Sequence, residues 1–275
     1  MSRRPVLFAT AAAVLMAPAV CAPTALAERL VAADASNRLY TFDSSSPEKW
    51  TRTKAVTGLG AGERIVGLDV RPAGRALIAL TNASRLYSVR RARASATPIG
   101  GGPFTPLLAG PAYGFDFNPT VDRIRVVSAA GQNLRLNPET GAAAGTDGAL
   151  RYKDGDPGAG SAPAAIGAAY TNSLQGATAT TLYVIDANRD ALAIQAPPNE
   201  GVLSTVGPLG VNVSAPLGFD ISARDGKAYM LARRPGSDRS RLFSINLAKG
   251  TARKLGAVRR APDLVALATL SRPRA

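Results

Sequence analysis

Three aspartates stand where carboxylate chemistry could be done. Asp69, Asp116 and Asp220 each follow a glycine by two residues, in "IVGLDV", "AYGFDF" and "PLGFDI". If these segments are equivalent strands around a ring, their carboxylates share one depth along its axis. Such a pair, suitably spaced, could act as general acid and as nucleophile or base on a glycosidic bond or lactone. The same groups could instead accept backbone N–H bonds and tie neighbouring segments together. An aspartate recurring at one place in a repeat favours that scaffold role. The matching places in the other repeats carry Ala169 and Ala268.

Arg123 and Arg125 flank Ile124, so strand alternation puts them on one face. With Arg135 on the following strand they could grip a carboxylate or phosphate through paired N–H donors. The structural alternative pairs them with Asp116 and Asp122. Asp154 and Asp156, in "YKDGDPGAG", have a spacing that opens some calcium loops. The remaining ligands and closing Glu of an EF-hand loop are missing, so a flexible insert is the plainer reading. Ser and Lys are both present, but no SxxK or GxSxG motif joins them into a nucleophile site.

The absences are sharper. The chain has no histidine, and Cys21 is its only cysteine. Ser-His-Asp and Cys-His catalysis are excluded, as is a zinc site built on imidazole or several thiolates. No cofactor is expected. Residues 1–27 read as a secretory signal peptide: a basic "MSRR", an apolar run over Val6–Val20, and a small-x-small end at Ala25–Ala27. The apolar run is too short for a membrane span, and no later run reaches that length. Export, to the periplasm or beyond, is expected by the general secretory or twin-arginine route. Cys21 leaves with the leader.

Formal net charge is +14 over 275 residues, and +12 once Arg3 and Arg4 are removed. A basic exported protein could meet an acidic polymer. Aromatics make up only 5% of the residues, which argues against nucleic acid, where stacking platforms accompany the charge.

The elements that must position these side chains come from a repeat. Gly67, Gly114, Gly167 and Gly218 recur at intervals of about fifty residues, each in an apolar strand-like segment. "RLYTFD", "RLYSVR", "NLRLNP", "ALAIQA" and "RLFSIN" form a second ladder beside them. Alternating apolar residues bounded by Gly, Pro, Asn and Asp read as short strands and turns, with no convincing helix. Four strands every fifty residues predict an all-β fold, a β-propeller of four-stranded blades over residues 28–275. Five blades are expected, with six as the alternative. The first segment lacks its Gly-x-Asp strand and "DLVALATL" at 263–270 supplies it, closing the ring.

"GFDFNPTVDRIRVVS" followed by "GQNLRLNPETG" resembles the signature of a bacterial exported family, domain-of-unknown-function family 4394. "AAYTNS", "LYVID", "PPNEGVLSTVGPLGV" and "GFDIS" extend the resemblance to about residues 30–270. It implies an exported propeller-like domain and hands over no catalytic residue. The expected role is a non-catalytic binding module, a monomer whose partner is a small molecule, glycan or protein. Asp69, Asp116, Asp220, Arg123 and Arg125 are its candidate ligand-binding residues. A carboxylate-based hydrolase and a polyanion-binding surface are the alternatives.

Overall fold

The computed structural model describes residues 27–233, 239–258, 261 and 263–270. The expected leader lies, apart from its last residue, outside them, as does Cys21. Five antiparallel sheets form a ring. Blade 1 has the order β21 (Leu264–Thr269), β1 (Arg29–Asp34), β2 (Arg38–Asp43), β3 (Ser46–Ala55) from the axis outward. Blade 2 is β4 (Ile65–Val70), β5 (Leu77–Thr81), β6 (Arg85–Arg90) and β7 (Ser95–Ile99). Blade 3 is β8 (Tyr113–Asn118), β9 (Arg123–Ser128), β10 (Asn133–Leu136) and β11 (Ala143–Thr146). Blade 4 is β13 (Ala165–Tyr170), β14 (Leu182–Asp186), β15 (Ala191–Gln195) and β16 (Val202–Pro208). Blade 5 is β17 (Ser214–Ile221), β18 (Ala228–Arg233), β19 (Arg241–Ile245) and β20 (Ala252–Ala257). The C-terminal strand pairs with the N-terminal one, Val31 opposite Ala268, so the ring closes as the sequence predicts.

Among the described residues only two short 3₁₀ turns interrupt the strands, Arg91–Arg93 and Pro198–Glu200. No helix among the described residues is long and apolar enough to cross a membrane. One departure from the expected pattern lies in blade 4. The segment read as a flexible insert begins with a fifth strand, β12 (Arg151–Tyr152), which pairs parallel to β16 at the blade's outer edge.

The core is divided among the blade interfaces. Leu80 and Leu86 of blade 2 pack on Phe117 and Ile124 of blade 3, for example, and Leu30 and Tyr40 of blade 1 on Leu231 and Leu242 of blade 5. The inner strands are covered on both faces, which explains their near-continuous apolar and small residues. The recurrent glycine has a packing cause. A Cβ at Gly114 would sit 2.5 Å from the Ala168 backbone nitrogen, and one at Gly218 would sit 2.5 Å from the Leu267 Cβ. Glycine lets each inner strand approach the next closely enough to fill the axis. Only about 10 Å³ remains there, the room of a single water.

Candidate functional site

The three aspartates converge. Each lies near the C-terminal end of an inner strand, and one carboxylate oxygen from each falls within 4.8 Å of the others. All are buried: Asp69 is 4%, Asp116 1% and Asp220 3% exposed. The backbone beside them explains how they are held. The residue following the aspartate position in each inner strand is Val70, Phe117, Tyr170, Ile221 or Thr269. The three carboxylates accept all five of these N–H groups.

Asp69 accepts Val70 N–H at Oδ1 (2.6 Å) and Phe117 N–H of the next blade at Oδ2 (2.8 Å). Asp220 accepts Ile221 N–H (2.6 Å) and Thr269 N–H of the next blade (2.5 Å) in the same way. Asp116 accepts Tyr170 N–H of the next blade at Oδ2. The donor in its own strand, Phe117 N–H, is already bonded to Asp69. Asp116 Oδ1 is therefore left buried with no donor. Ala169 and Ala268 are what make the count work elsewhere: neither reaches forward to claim Ile221 or Val70, so Asp220 and Asp69 keep both donors.

The electrostatics follow from burial. Burial raises the Asp116 carboxyl well above the ordinary carboxylate range, and the charges of Asp69 and Asp220 push it further. Burial also raises Asp220 well above that range, with Asp69 adding to it. Burial raises Asp69 too, against bonds from Asp116, Phe117 and Val70 that pull it down. This is not a solvent-facing acid pair with room for a sugar ring beside it, the geometry that glycoside hydrolysis uses.

The arginines lie elsewhere. Arg125 stands opposite Arg135 in the β9–β10 ladder and opposite Asp116 in β8–β9, yet it bonds neither Asp116 nor Asp122. Its carboxylate partner is Asp147, at 2.5 Å, and its other donors reach Asn133 (2.7 Å) and Asn199 (2.8 Å). Arg135 shares the same carboxylate at 2.9 Å. Asp122 turns to Arg71 instead. The pairing read from sequence is thus corrected. Asp116 is drawn forward to the next blade by Tyr170 N–H, and Asp147 arrives from the turn after β11. Arg123 donates only to the Asp122 carbonyl (2.9 Å) and has no carboxylate partner among the described residues. With Arg125 and Arg135 it lines a groove of about 390 Å³ between blades 3 and 4.

Asp154 is exposed and Asp156 buried. Asp156 spends its oxygens on Gly158 N–H (2.8 Å) and on the N–H (2.7 Å) and hydroxyl (2.6 Å) of Thr205. Those bonds pin the 153–161 segment to β16. Burial pushes the Asp156 carboxyl up, but the Thr205 and Gly158 bonds outweigh it and leave it below the ordinary range.

Two features escaped the sequence. Asp147 gave no motif, only a Thr-Asp-Gly turn. The other is a broad concavity of about 1030 Å³ between blades 1 and 2, lined by Arg52, Lys54, Arg90, Arg91 and Arg93. These arginines look scattered in sequence, but Arg90–Arg93 end one blade and Arg52 and Lys54 alternate on the outer strand of its neighbour. All five are exposed, no acid lines the concavity, and none forms an ion pair among the described residues. The run "RRAR" was the available signal.

A family profile described as "Domain of unknown function (DUF4394)" matches residues 38–268, and the chain belongs to that family. No curated protein matches the sequence. Solved structures that it resembles include one titled a nidogen/laminin complex, at 11% identity and TM-score 0.50, covering 90% of this chain and 99% of that one. A structural-genomics protein of unknown function from Bacteroides thetaiotaomicron is similar at 15% identity and TM-score 0.49, covering 87% and 63%. Kuenenia stuttgartiensis hydrazine synthase is similar at 12% identity and TM-score 0.42, covering 77% of this chain and 54% of that one. The chain thus spans less than two thirds of the latter two.

Proposed function

We propose that this member of the DUF4394 family is an exported, non-catalytic binding propeller. Its ligand is an acidic polymer such as a carboxylated or sulfated glycan, seated in the basic concavity between blades 1 and 2. The observation that carries this is the set of five exposed cations, Arg52, Lys54, Arg90, Arg91 and Arg93, with no acid among them. Like charges gathered without counter-charges repel one another, and a polyanion relieves that repulsion while releasing counterions. No aromatic side chain lines the concavity, so the stacking that accompanies single-stranded nucleic acid is missing. The leader-like N-terminus favours an envelope or extracellular glycan over a cytoplasmic polymer. The buried state of Asp69, Asp116 and Asp220 weighs against the hydrolase alternative.

The test is equilibrium binding of polygalacturonate and heparin, with dextran as the neutral control, at low and raised salt. Affinity should fall steeply with salt, and dextran should not bind. Replacing Arg90, Arg91 and Arg93 together by alanine should weaken binding roughly 10- to 100-fold, taking about 0.5–1 kcal/mol per exposed charge. Salt-independent binding, or a triple variant that binds like the parent, overturns the reading.

A further inference from the structure

The axial carboxylates pose a separate question. Three acids lie within 4.8 Å of one another and nearly out of contact with solvent. Five backbone N–H groups solvate them and the Thr269 side chain adds a bond to Asp220, yet one of the six oxygens is left out. The second, independent observation is Asp116 Oδ1, an acceptor on a residue 1% exposed with no donor in reach. Its carboxylate lies within 4.8 Å of those of Asp69 and Asp220, so the orphan belongs to the cluster. Arg75 is the cation whose charge reaches Asp69, and its own Nη2 donates to the Leu270 carbonyl at 3.0 Å. A buried charge is retained only where a counter-charge or a proton offsets it.

We infer that Asp69, Asp116 and Asp220 together hold a divalent cation on the propeller axis, of the hard, oxygen-seeking kind and best matched by Ca²⁺. The donor set is all carboxylate oxygen, which suits calcium, magnesium or manganese. Oxygens within 4.8 Å of one another fit inside the span of two Ca²⁺–O bonds of about 2.3–2.6 Å each, and Ca²⁺ tolerates irregular ligand geometry that Mg²⁺ does not. The N–H bonds do not compete, because each carboxylate oxygen has a second lone pair. The site ties β4, β8 and β17, strands of three different blades, to one ion. It thereby links blades 2, 3 and 5 and adds to the three interfaces, β4 to β8, β8 to β13 and β17 to β21, where the aspartates reach forward.

The experiment measures metal content and melting temperature on the full chain. Elemental analysis of protein purified without chelator should find about one calcium per chain. After EDTA treatment and removal of the chelator, 1 mM CaCl₂ should raise the melting temperature by roughly 5–10 °C if this is about a hundredfold above Kd. Asp116→Asn should lose both the bound calcium and that rise, while Asp154→Asn, outside the cluster, should keep both. A chain with no stoichiometric divalent ion and no calcium-dependent shift overturns the inference, and shared protons then offset the charge. An Asp116→Asn variant that keeps its calcium overturns it as well. The elemental analysis of the parent stands even if Asp116→Asn fails to fold.

Discussion

The axial aspartates and the Arg125–Asp147 network are both buried, both charged and both built across blade boundaries, and they close differently. Around Arg125 the charge is matched, although Gln195 Oε1, on a side chain that donates to Asn133, has no partner of its own. Asp147 supplies the opposite charge, Asn133 and Asn199 take the remaining donors, and Asn133 in turn donates to the Gly148 and Pro198 carbonyls at 3.0 Å. At the axis there are three crowded carboxyls without an opposite charge bonded to them, and one oxygen with no partner. A balanced buried network needs no ligand to explain it and reads as structure. An unbalanced one asks for a counter-ion or proton. Each region holds one buried acceptor without a partner, so it is the pairing of charge with counter-charge that separates them.

The largest expected effect breaks the balanced side. Asp147→Ala strands Arg125, 2% exposed, without its carboxylate, and should cost about 3–5 kcal/mol in urea unfolding. A loss below about 1 kcal/mol would mean that the asparagines suffice and that Arg125 does not depend on the Asp147 charge.

The axis offers a sharper contrast. In metal-free buffer Asp220→Asn should destabilise by about 2 kcal/mol, since one oxygen now used by Ile221 or Thr269 becomes an amide nitrogen. Asp116→Asn should cost less or even stabilise, because Oδ2 can still accept Tyr170 N–H, its other oxygen has no partner, and a crowded ionisable group is removed. Equal losses in the two variants would dissolve the distinction between them.

Asp156 provides a third, smaller balanced case, with a pH signature. Its folded carboxyl titrates below the ordinary range, so the stability it contributes is present above the unfolded pKa of about 3.9 and is lost as pH falls through the lower folded value. Asp156→Ala should therefore cost about 1 kcal/mol at pH 7 and progressively less below about pH 4, measured by thermal melts across pH. A penalty constant down to pH 2 would assign the effect to packing.

The smallest effect lies at the surface. Arg91→Ala should change stability by less than about 0.5 kcal/mol while lowering acidic-glycan affinity, because its side chain is exposed and its contact to the Thr41 hydroxyl, at 3.4 Å, is long. A large stability loss would place Arg91 in the scaffold.

Much of this was legible without a structure. The glycine-spaced strands announced the blades, and the missing first strand with its counterpart at 263–270 announced the closure. The three aspartates were marked as equivalent. What could not be read was the direction of each carboxylate. Asp116 and Arg125 face each other in register, and sequence logic pairs them. The closed ring instead brings Tyr170 N–H of the next blade to Asp116 and the turn after β11 to Arg125. The segment around Asp156 read as flexible for a similar reason: its partner, Thr205, is far along the chain and adjacent only after blade 4 forms.

By itself the sequence determined the period, the four-stranded repeat, the closure and the absence of imidazole and of thiol chemistry beyond Cys21, because these depend on composition and short-range alternation. Tertiary structure decided burial, the five-donor account around three carboxylates, the partner of Arg125 and the gathering of five cations from two blades. Those depend on which strands become neighbours around the ring, and neighbours fifty residues apart are chosen by closure, not by local pattern.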